Sequence, residues 1–329
     1  MNSHDHVSPA ERQRPASASP AHSSIVEPDE RFHSERGSTI ADPASVSEFG
    51  RTYHGYKDGT YLLPNDATEQ DRLDMQHVAW NAMMDGALAW APLREPPRSV
   101  LDVGTGTGIW SIEFADRNPG AVVVGTDLSR IQPWGVHPRV HWVQEDAEDD
   151  WAGFEGENVA GLELPFDYIH LRMMVTCFKD HRDVIAKVYD HLRPGGWVEY
   201  QEGGLDLWCE DTSTLGTAVH KWTFLMKAGA IALGRDLEVA QKYRLWLAEA
   251  GFVDVQEKVI LAPGSPWPRD KRLKHQGKWM RATALQGIEA LSLKILYHGL
   301  GMPIEEVDKL VIQVRKDVDN EDIHFHWTW

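Results

Sequence analysis

The chain has 329 residues, of which 42% are hydrophobic and 25% are charged, and its formal net charge is −17 at pH 7. This length and composition predict one large α/β domain with additions, and the acidic balance disfavours binding to the phosphate backbone of nucleic acids. The sequence contains no run of 18 apolar residues, so no membrane helix is predicted and neither nucleic acid nor membrane is expected as a partner.

Composition divides the chain into three parts. Residues 1–45 are rich in Ser, Pro, His and acidic residues and are expected to form a disordered tail. Residues 46–97 are expected to form a helical cap, and residues 98–329 the main domain, with lid insertions at about 203–236 and 262–300. The first twenty residues lack the apolar core of a secretory signal, and two cysteines are too few for a disulfide framework. We therefore expect a cytoplasmic, or alternatively nuclear, protein.

The cap begins with an aromatic, glycine-rich segment that contains Tyr61. Thr68 is a candidate N-cap of a helix reaching about Leu88, because an acidic residue follows three positions later as in an approximate capping box. Tyr61 and two polar residues of this helix, Arg72 and His77, are candidates to contact a bound cofactor. For Arg72 and His77 the alternative is that the helix satisfies their polar groups itself.

The next motif is the stretch 100–115, VLDVGTGTGIWSIEFA. Its first residues predict a buried parallel strand, and Ile109 begins a helix whose free N–H groups point at the turn between them. This turn, hereafter the glycine turn, carries Gly104, Thr105, Gly106 and Gly108. Glycines permit a sharp bend and a close approach of ligand to backbone.

The glycine turn differs from the G-x-G-x-x-G of dinucleotide sites, and the buried Asp102 precedes its first glycine by two residues. A carboxylate there disfavours pyrophosphate and favours a ligand with a cationic end. S-adenosyl-L-methionine has a sulfonium, an ammonium and a ribose, and carries no phosphate. The alternative is a purely structural turn.

Two further strands end in acidic residues. Asp127, followed by Leu128, comes 23 residues after Gly104, where a carboxylate binds the ribose diol of a nucleoside. The third strand, Val140–Val143, leads to Asp146 and Ala147. Asp146 is a candidate acceptor for an adenine amino group, with Ala147 leaving room for the ring, although the surrounding run of acidic residues is also consistent with a solvated surface.

The fourth strand ends at His170 and the fifth at Glu202. In parallel sheets ligands bind beyond the carboxyl ends of the strands, so these two side chains are candidate general bases for a protonated nucleophile. For His170 the alternative is a positioning role in the pocket.

The remainder predicts helices and short strands. Helices are expected from Thr217, over Leu237–Ala250 with Gly251 as the stop, over Lys278–Leu300 and over Pro303–Val318. Strands are expected at Val253–Leu261 and Ile323–Trp329. Aromatic residues of the insertions either line a substrate pocket or pack as core. His324 and His326 share a face but lack a third ligand, so no metal site is expected.

These motifs together resemble the class I S-adenosylmethionine-dependent methyltransferases, and among them the LaeA-like group of filamentous fungi. Three stretches carry the resemblance: GRTYHGYKDGTYLLPNDATEQDRLDMQH, LDVGTGTGIWSIEFAD and GTDLSRIQP. The resemblance implies a doubly wound, Rossmann-like seven-stranded sheet whose last strand is antiparallel, with S-adenosylmethionine as cofactor.

Two functions follow from the resemblance. One is a methyltransferase that acts on a small molecule of fungal secondary metabolism. The other is a nuclear regulator of secondary metabolism that works with velvet-type transcription factors as protein partners. The acidic composition and the lack of a basic import run favour the enzyme.

Overall fold

The computed structural model describes residues 41–57, 59, 61–151 and 159–329. Most of the expected tail, residues 1–40, lies outside the described residues. Of its last five residues, Asp42 is buried, with 5% of its surface exposed.

The described residues form strands and helices in mixed order. The strands are β1 (Val46–Glu48), β2 (Arg51–Tyr53), β3 (Ser99–Val103), β4 (Val122–Asp127), β5 (Val140–Gln144), β6 (Phe166–Arg172), β7 (Leu192–Gln201), β8 (Leu207–Trp208), β9 (Leu261–Pro263) and β10 (His326–Thr328). The helices are α1 (Ala67–Met83), α2 (Ile109–Arg117), α3 (His181–His191), α4 (Ala218–Ala232), α5 (Ala240–Ala250), α6 (Lys271–Leu300) and α7 (Ile304–Asp319).

The central sheet has the order β5-β4-β3-β6-β7, and its strands are all parallel. Every residue of β3 is buried, as expected for a middle strand covered on both faces. Leu101 pairs with Val124 on one side and with Ile169 on the other. The five strands expected from the sequence are therefore confirmed, and their carboxyl ends meet at one edge of the sheet. The alternation of strands and helices makes this an α/β, Rossmann-like fold.

The expected seven-stranded sheet is not found in the described residues, and the expected antiparallel last strand is wrong because the end strand β7 runs parallel to β6. The predicted strand Val253–Leu261 is a strand only from Leu261. Its end pairs with the C-terminal segment instead: the amide of Ile260 donates to the carbonyl of Trp329 at 2.7 Å, and the reverse bond measures 2.9 Å. These backbone groups belong to a second, antiparallel sheet of order β8-β10-β9.

A helical layer adjoins the sheet. The long helix α6 contacts α1, α4 and α7, and large apolar side chains such as Trp80, Trp222 and Trp279 fill their shared core. This layer places α4 and α6, which belong to the expected insertions, close to the ends of β3 and β6.

Several helix boundaries differ from the sequence expectation, and α1 ends at Met83 instead of about Leu88. The N-cap of α1 is Asp66, whose side chain accepts from the amide of Glu69, and not Thr68. Helix α6 begins seven residues before Lys278, because Asp270 caps it through the amide of Leu273. Helix α5 begins at Ala240, and it ends at Gly251 as expected, with φ 107°.

Candidate functional site

A cavity of about 240 Å³ lies at the carboxyl ends of β3, β4 and β6. Residues of the glycine turn, Asp102, Asp127 and His170 are among those that line it. The cavity extends to residues of α1, α4, α6 and β10. It therefore joins the predicted cofactor residues to side chains of both predicted lid insertions.

The glycine turn takes the left-handed conformation at three positions. Gly104, Gly106 and Gly108 have φ of 69°, 58° and 79°, which side chains disfavour. A Cβ at Gly104 would come within 2.5 Å of the sulfur of Met174. At Gly108 it would come within 2.4 Å of the ring of Trp142, and Gly108 is not among the residues that line the cavity.

Asp102 is buried below the glycine turn and fully hydrogen-bonded. Its Oδ2 accepts from the hydroxyls of Thr105 and Ser111, each at 2.6 Å, and its Oδ1 lies 2.8 Å from Nδ1 of His170. Burial alone would raise the pKa of Asp102, but the hydrogen bonds, above all that of His170, hold it below its usual value. The carboxylate thus fixes the turn from beneath.

His170 lies against this carboxylate and against an aromatic ring. Its imidazole stacks on Trp110, with 3.7 Å between ring centroids. Its Nε2 is buried and has no hydrogen-bond partner among the described residues. The residue lines the cavity but is itself inaccessible to solvent.

Asp127 ends β4, and we call the space between the glycine turn and the end of β4 the notch. Its Oδ2 accepts from the amide of Gly106 and its Oδ1 from the amide of Ser129, both at 2.8 Å. Burial raises the pKa of Asp127 to about 6, and the two amides oppose that rise. Leu128, the next residue, also lines the cavity.

Asp146 and Ala147 line the cavity after β5, as predicted. The carboxylate of Asp146 accepts from the amide of Glu148 at 2.9 Å and pairs with Lys57 at 3.1 Å. Asp146 is 8% exposed, so it is not a solvated surface residue.

Tyr61 and Arg72 reach the cavity from the cap. Burial raises the pKa of Tyr61 well above its usual value. Arg72 pairs with the buried Glu69 at 2.7 Å. Its side chain also packs against Gly287 on α6, where an added Cβ would lie 3.1 Å from the Cδ of Arg72. The guanidinium is therefore held between α1 and α6.

Besides Gly108, two predicted site residues, His77 and Glu202, are not among the cavity lining. Nε2 of His77 lies 2.5 Å from Glu113, and burial lowers the pKa of His77 to about 4 despite that carboxylate. Glu202 is buried behind the cavity wall and accepts from the amide of Met174 at 3.1 Å. The partners of His77 are Glu113 on α2 and Arg172 on β6, so its polar groups are not satisfied by its own helix alone.

The remaining lining mixes polar residues, among them Arg172 and Glu145, with an apolar part that was mostly not assigned from the sequence. We call this part the apolar chamber; it is lined by Trp222, Met226, Met280, Ala284, Leu291 and Trp327. Trp222 and Met226 come from the first predicted insertion. Two other large residues of that insertion, Trp208 and Phe224, are exposed instead. The spacing of Trp222 and Met226, four apart on one helix face, was the signal that distinguishes them.

No group of three or more potential metal ligands occurs among the described residues. His324 pairs with Asp211 at 2.8 Å, and His326 packs against Trp208. Cys177 and Cys209 are both free thiols. In the described part of the chain, no helix has the length and apolar character needed to cross a membrane.

Comparison with known proteins agrees with this geometry. Residues 75–257 match the family model of a methyltransferase domain. Methyltransferase pytC of Aspergillus terreus is 38% identical over 277 residues, covering 84% of this chain and 83% of that protein. The secondary metabolism regulator laeA of Aspergillus fumigatus is 35% identical over 280 residues, covering 84% and 73%.

One solved structure was also compared. Phosphoethanolamine N-methyltransferase 2 of Haemonchus contortus, in complex with S-adenosyl-L-methionine, aligns with a TM-score of 0.43 at 18% identity. The alignment covers 78% of this chain and 51% of that one, so the chain spans about half of that structure. The family assignment therefore depends on the sequence relatives and not on this structural alignment.

The fold, the glycine turn and the family match define a methyltransferase domain. The chain belongs to the LaeA-like class I methyltransferases, whose cofactor is S-adenosylmethionine. The resemblance seen in the sequence is thereby confirmed.

Proposed function

We propose that this methyltransferase methylates a small, mostly apolar molecule of fungal secondary metabolism. The observation that carries the proposal is the continuity of one cavity from the glycine turn and Asp127 to the apolar chamber. The relative named methyltransferase pytC supports the enzymatic assignment, and the relatives named as regulators of secondary metabolism support the metabolic context.

The residues around the glycine turn fit the cofactor. Gly104 and Gly106 leave backbone without side chains along the notch, and Asp127 offers carboxylate oxygens to a ribose diol. Asp146 offers an acceptor to an adenine amino group, with Ala147 and Leu128 beside it. Tyr61 and Arg72 also line the cavity, and Arg72, like Arg172, carries a charge suited to a carboxylate.

The cofactor supplies a methyl group on a sulfonium, and the chain supplies position and a dry environment. Orientation of the two reactants can account for roughly 7–11 kcal/mol of the barrier. The six side chains of the apolar chamber are uncharged, whereas Arg172 and Glu145 line other parts of the cavity, so a charged group placed in the chamber would lose its hydration without a partner. An uncharged, largely apolar acceptor is therefore favoured.

His170 was a candidate general base, and its contacts favour a positioning role. Its Nδ1 is committed to Asp102 and its ring face to Trp110, while Nε2 is buried out of reach of solvent. Glu202 lies outside the cavity lining, so we do not assign it to proton transfer.

The sharpest test combines purified protein, S-adenosylmethionine and a metabolite extract from a strain that lacks this gene. We expect one metabolite to gain a methyl group, detected by mass spectrometry. Ala284→Trp should fill the chamber and abolish that product while leaving affinity for S-adenosylhomocysteine unchanged. Ala228→Trp, on the exposed face of α4, is the matched control and should keep both.

The alternative is a nuclear regulator that acts with velvet-type partners. It predicts that no metabolite is methylated, that such partners are recovered with the full chain from cell extract, and that the protein accumulates in nuclei. That combination would replace the small-molecule assignment.

A further inference from the structure

The turn after β6 forms a wall of the cavity. Its five residues, which we call the 173–177 turn, all line the cavity. Met173 has φ 60°, uncommon for a side-chain-bearing residue. The side chain of Met174 lies directly on Gly104, because a Cβ at Gly104 would come within 2.5 Å of its sulfur. Any shift of this turn therefore moves the wall of the notch.

Two bonds from the end of β7 hold the start of this turn. The amide of Met173 donates to the backbone carbonyl of Gln201 at 2.9 Å. The amide of Met174 donates to Oε1 of Glu202 at 3.1 Å. The second bond depends on a side chain, so substitution of Glu202 removes it selectively.

Glu202 is enclosed without a cation. It is 8% exposed, no ion pair among the described residues includes it, and its Oε2 has no hydrogen-bond partner there. A carboxylate in such a place is costly, whereas the neutral acid is tolerated. Burial raises the pKa of Glu202 to about 8, against the opposing effect of the amides of Met174 and Val175 and the Tyr243 hydroxyl.

We propose that Glu202 is a positioning residue that, as a neutral carboxylic acid, holds the 173–177 turn against the glycine turn. Its ionisation in alkaline solution would draw water to the carboxylate and loosen the turn. Affinity for the cofactor, whose site is the one described above, would then fall. Glu202 does not itself line the cavity, and its effect on the cofactor would be transmitted by the 173–177 turn.

The groups around Glu202 do not titrate in the same range. Cys177, Tyr200 and Tyr243, from the 173–177 turn, β7 and α5, interact with Glu202 directly. His181 on α3 bonds to Tyr243, and Arg235, before α5, acts on Cys177 and His181, so both lie further from Glu202. Burial raises the pKa of the thiol and of both phenols well above their usual values. Burial lowers the pKa of His181 to about 4, and the guanidinium stays charged. Between about pH 7 and about pH 9.5, Glu202 alone among them changes its charge.

The test measures the Kd of S-adenosylhomocysteine by titration calorimetry from about pH 7 to about pH 9.5. We expect the Kd of the wild-type protein to rise by about tenfold, with a ceiling of about thirtyfold if only the neutral form binds. Glu202→Gln keeps a neutral acceptor for the Met174 amide and should show less than about a third of that rise. The amino group of the ligand titrates equally in both proteins, so the ratio of the two profiles isolates Glu202.

A matched control variant tests whether the effect is specific to Glu202, and hydrogen exchange measures the loosening of the turn independently. Glu199→Gln alters a carboxylate on the same strand that accepts from the amides of Trp90 and Ala91, and it should keep the wild-type profile. Hydrogen exchange of the wild-type protein should show amides 173–177 losing protection above about pH 8 relative to those of β3.

Identical pH profiles for wild type and Glu202→Gln, or unchanged exchange protection, would overturn the proposal. If S-adenosylhomocysteine fails to bind at every pH, the cofactor site itself is misassigned. The exchange measurement then still decides the role of Glu202.

Discussion

Asp102 and His170 stand side by side on the parallel strands β3 and β6, with Oδ1 and Nδ1 2.8 Å apart. Both side chains are almost completely buried. The pair links two neighbouring strands of the central sheet, and the stacking of His170 on Trp110 extends the link to α2. Because Thr105 and Ser111 also donate to Asp102, the carboxylate couples the sheet to the glycine turn.

We therefore predict that His170→Ala destabilises the fold. Removing the imidazole opens a cavity beside Trp110 and deprives a buried carboxylate of one partner. The free energy of unfolding should fall by about 3 kcal/mol, measured by urea denaturation. A stable variant that keeps its affinity for S-adenosylhomocysteine but loses turnover would instead identify His170 as a general base.

We predict that Gly104 is essential for cofactor binding for two reasons: its left-handed backbone conformation, and the lack of space for a side chain beside Met174. Gly104→Ala adds strain of about 1–2 kcal/mol at φ 69° and places a methyl group against Met174. Affinity for S-adenosylhomocysteine should fall at least tenfold, and Gly104→Val should abolish it. Gly234→Ala, at φ 72° with open space around the new methyl group, should lose similar stability but bind normally. Equal loss of binding in both variants would refute the role of the notch.

The raised pKa of Asp127 leads us to predict that affinity for the cofactor falls in acidic solution. Ribose hydroxyls donate to the carboxylate form, and the pKa of Asp127 is raised to about 6, chiefly by burial. Affinity for S-adenosylhomocysteine should therefore weaken as the pH falls through about 6, with proton release on binding in that range. Calorimetry in buffers of different ionisation enthalpy measures both. Asp127→Asn should bind more weakly with a flat profile, whereas Asp116→Asn, an exposed control, should follow the wild type.

The pH dependence of stability should be opposite to that of affinity: the free energy of unfolding of the ligand-free protein should fall as the pH rises. Because the folded pKa of Asp127 lies above its unfolded value, its contribution is complete at low pH and is lost as the pH rises through about 6. Thermal unfolding should thus favour Asp127→Asn over wild type increasingly across about pH 4 to 6. A constant difference between the two proteins would contradict the raised pKa.

Residues at strand ends were predictable because parallel strands bring their carboxyl ends to one edge. Asp102, Asp127 and Asp146 all line the cavity for this reason. Glu202 also follows a strand, but sequence does not fix the direction that a side chain takes once the strand has ended. Its carboxyl group turned to the amide of Met174.

Helix periodicity separates other residues that the sequence treated alike. Arg72 and His77 are five positions apart on α1, or about 140° around the helix, so one lines the cavity and the other faces Glu113. The C-terminal segment was the harder case. The sequence predicted a strand at Val253–Leu261 without a partner, and only the long-range pairing of Ile260 with Trp329 assigns its end to the second sheet.

The contrast between Arg72 and His77 gives the last prediction. If Arg72 binds the carboxylate of the cofactor, its removal should weaken S-adenosylhomocysteine but not 5′-methylthioadenosine, which lacks the amino acid part. The variant should combine Arg72→Gln with Glu69→Gln, because Glu69 alone would remain as a buried unpaired charge. Charge-assisted hydrogen bonds of this kind contribute about 1.5–3 kcal/mol, so the ratio of the two Kd values should change by about tenfold or more. His77→Ala should leave that ratio unchanged, and an equal loss for both ligands in the double variant would show that Arg72 only supports the wall.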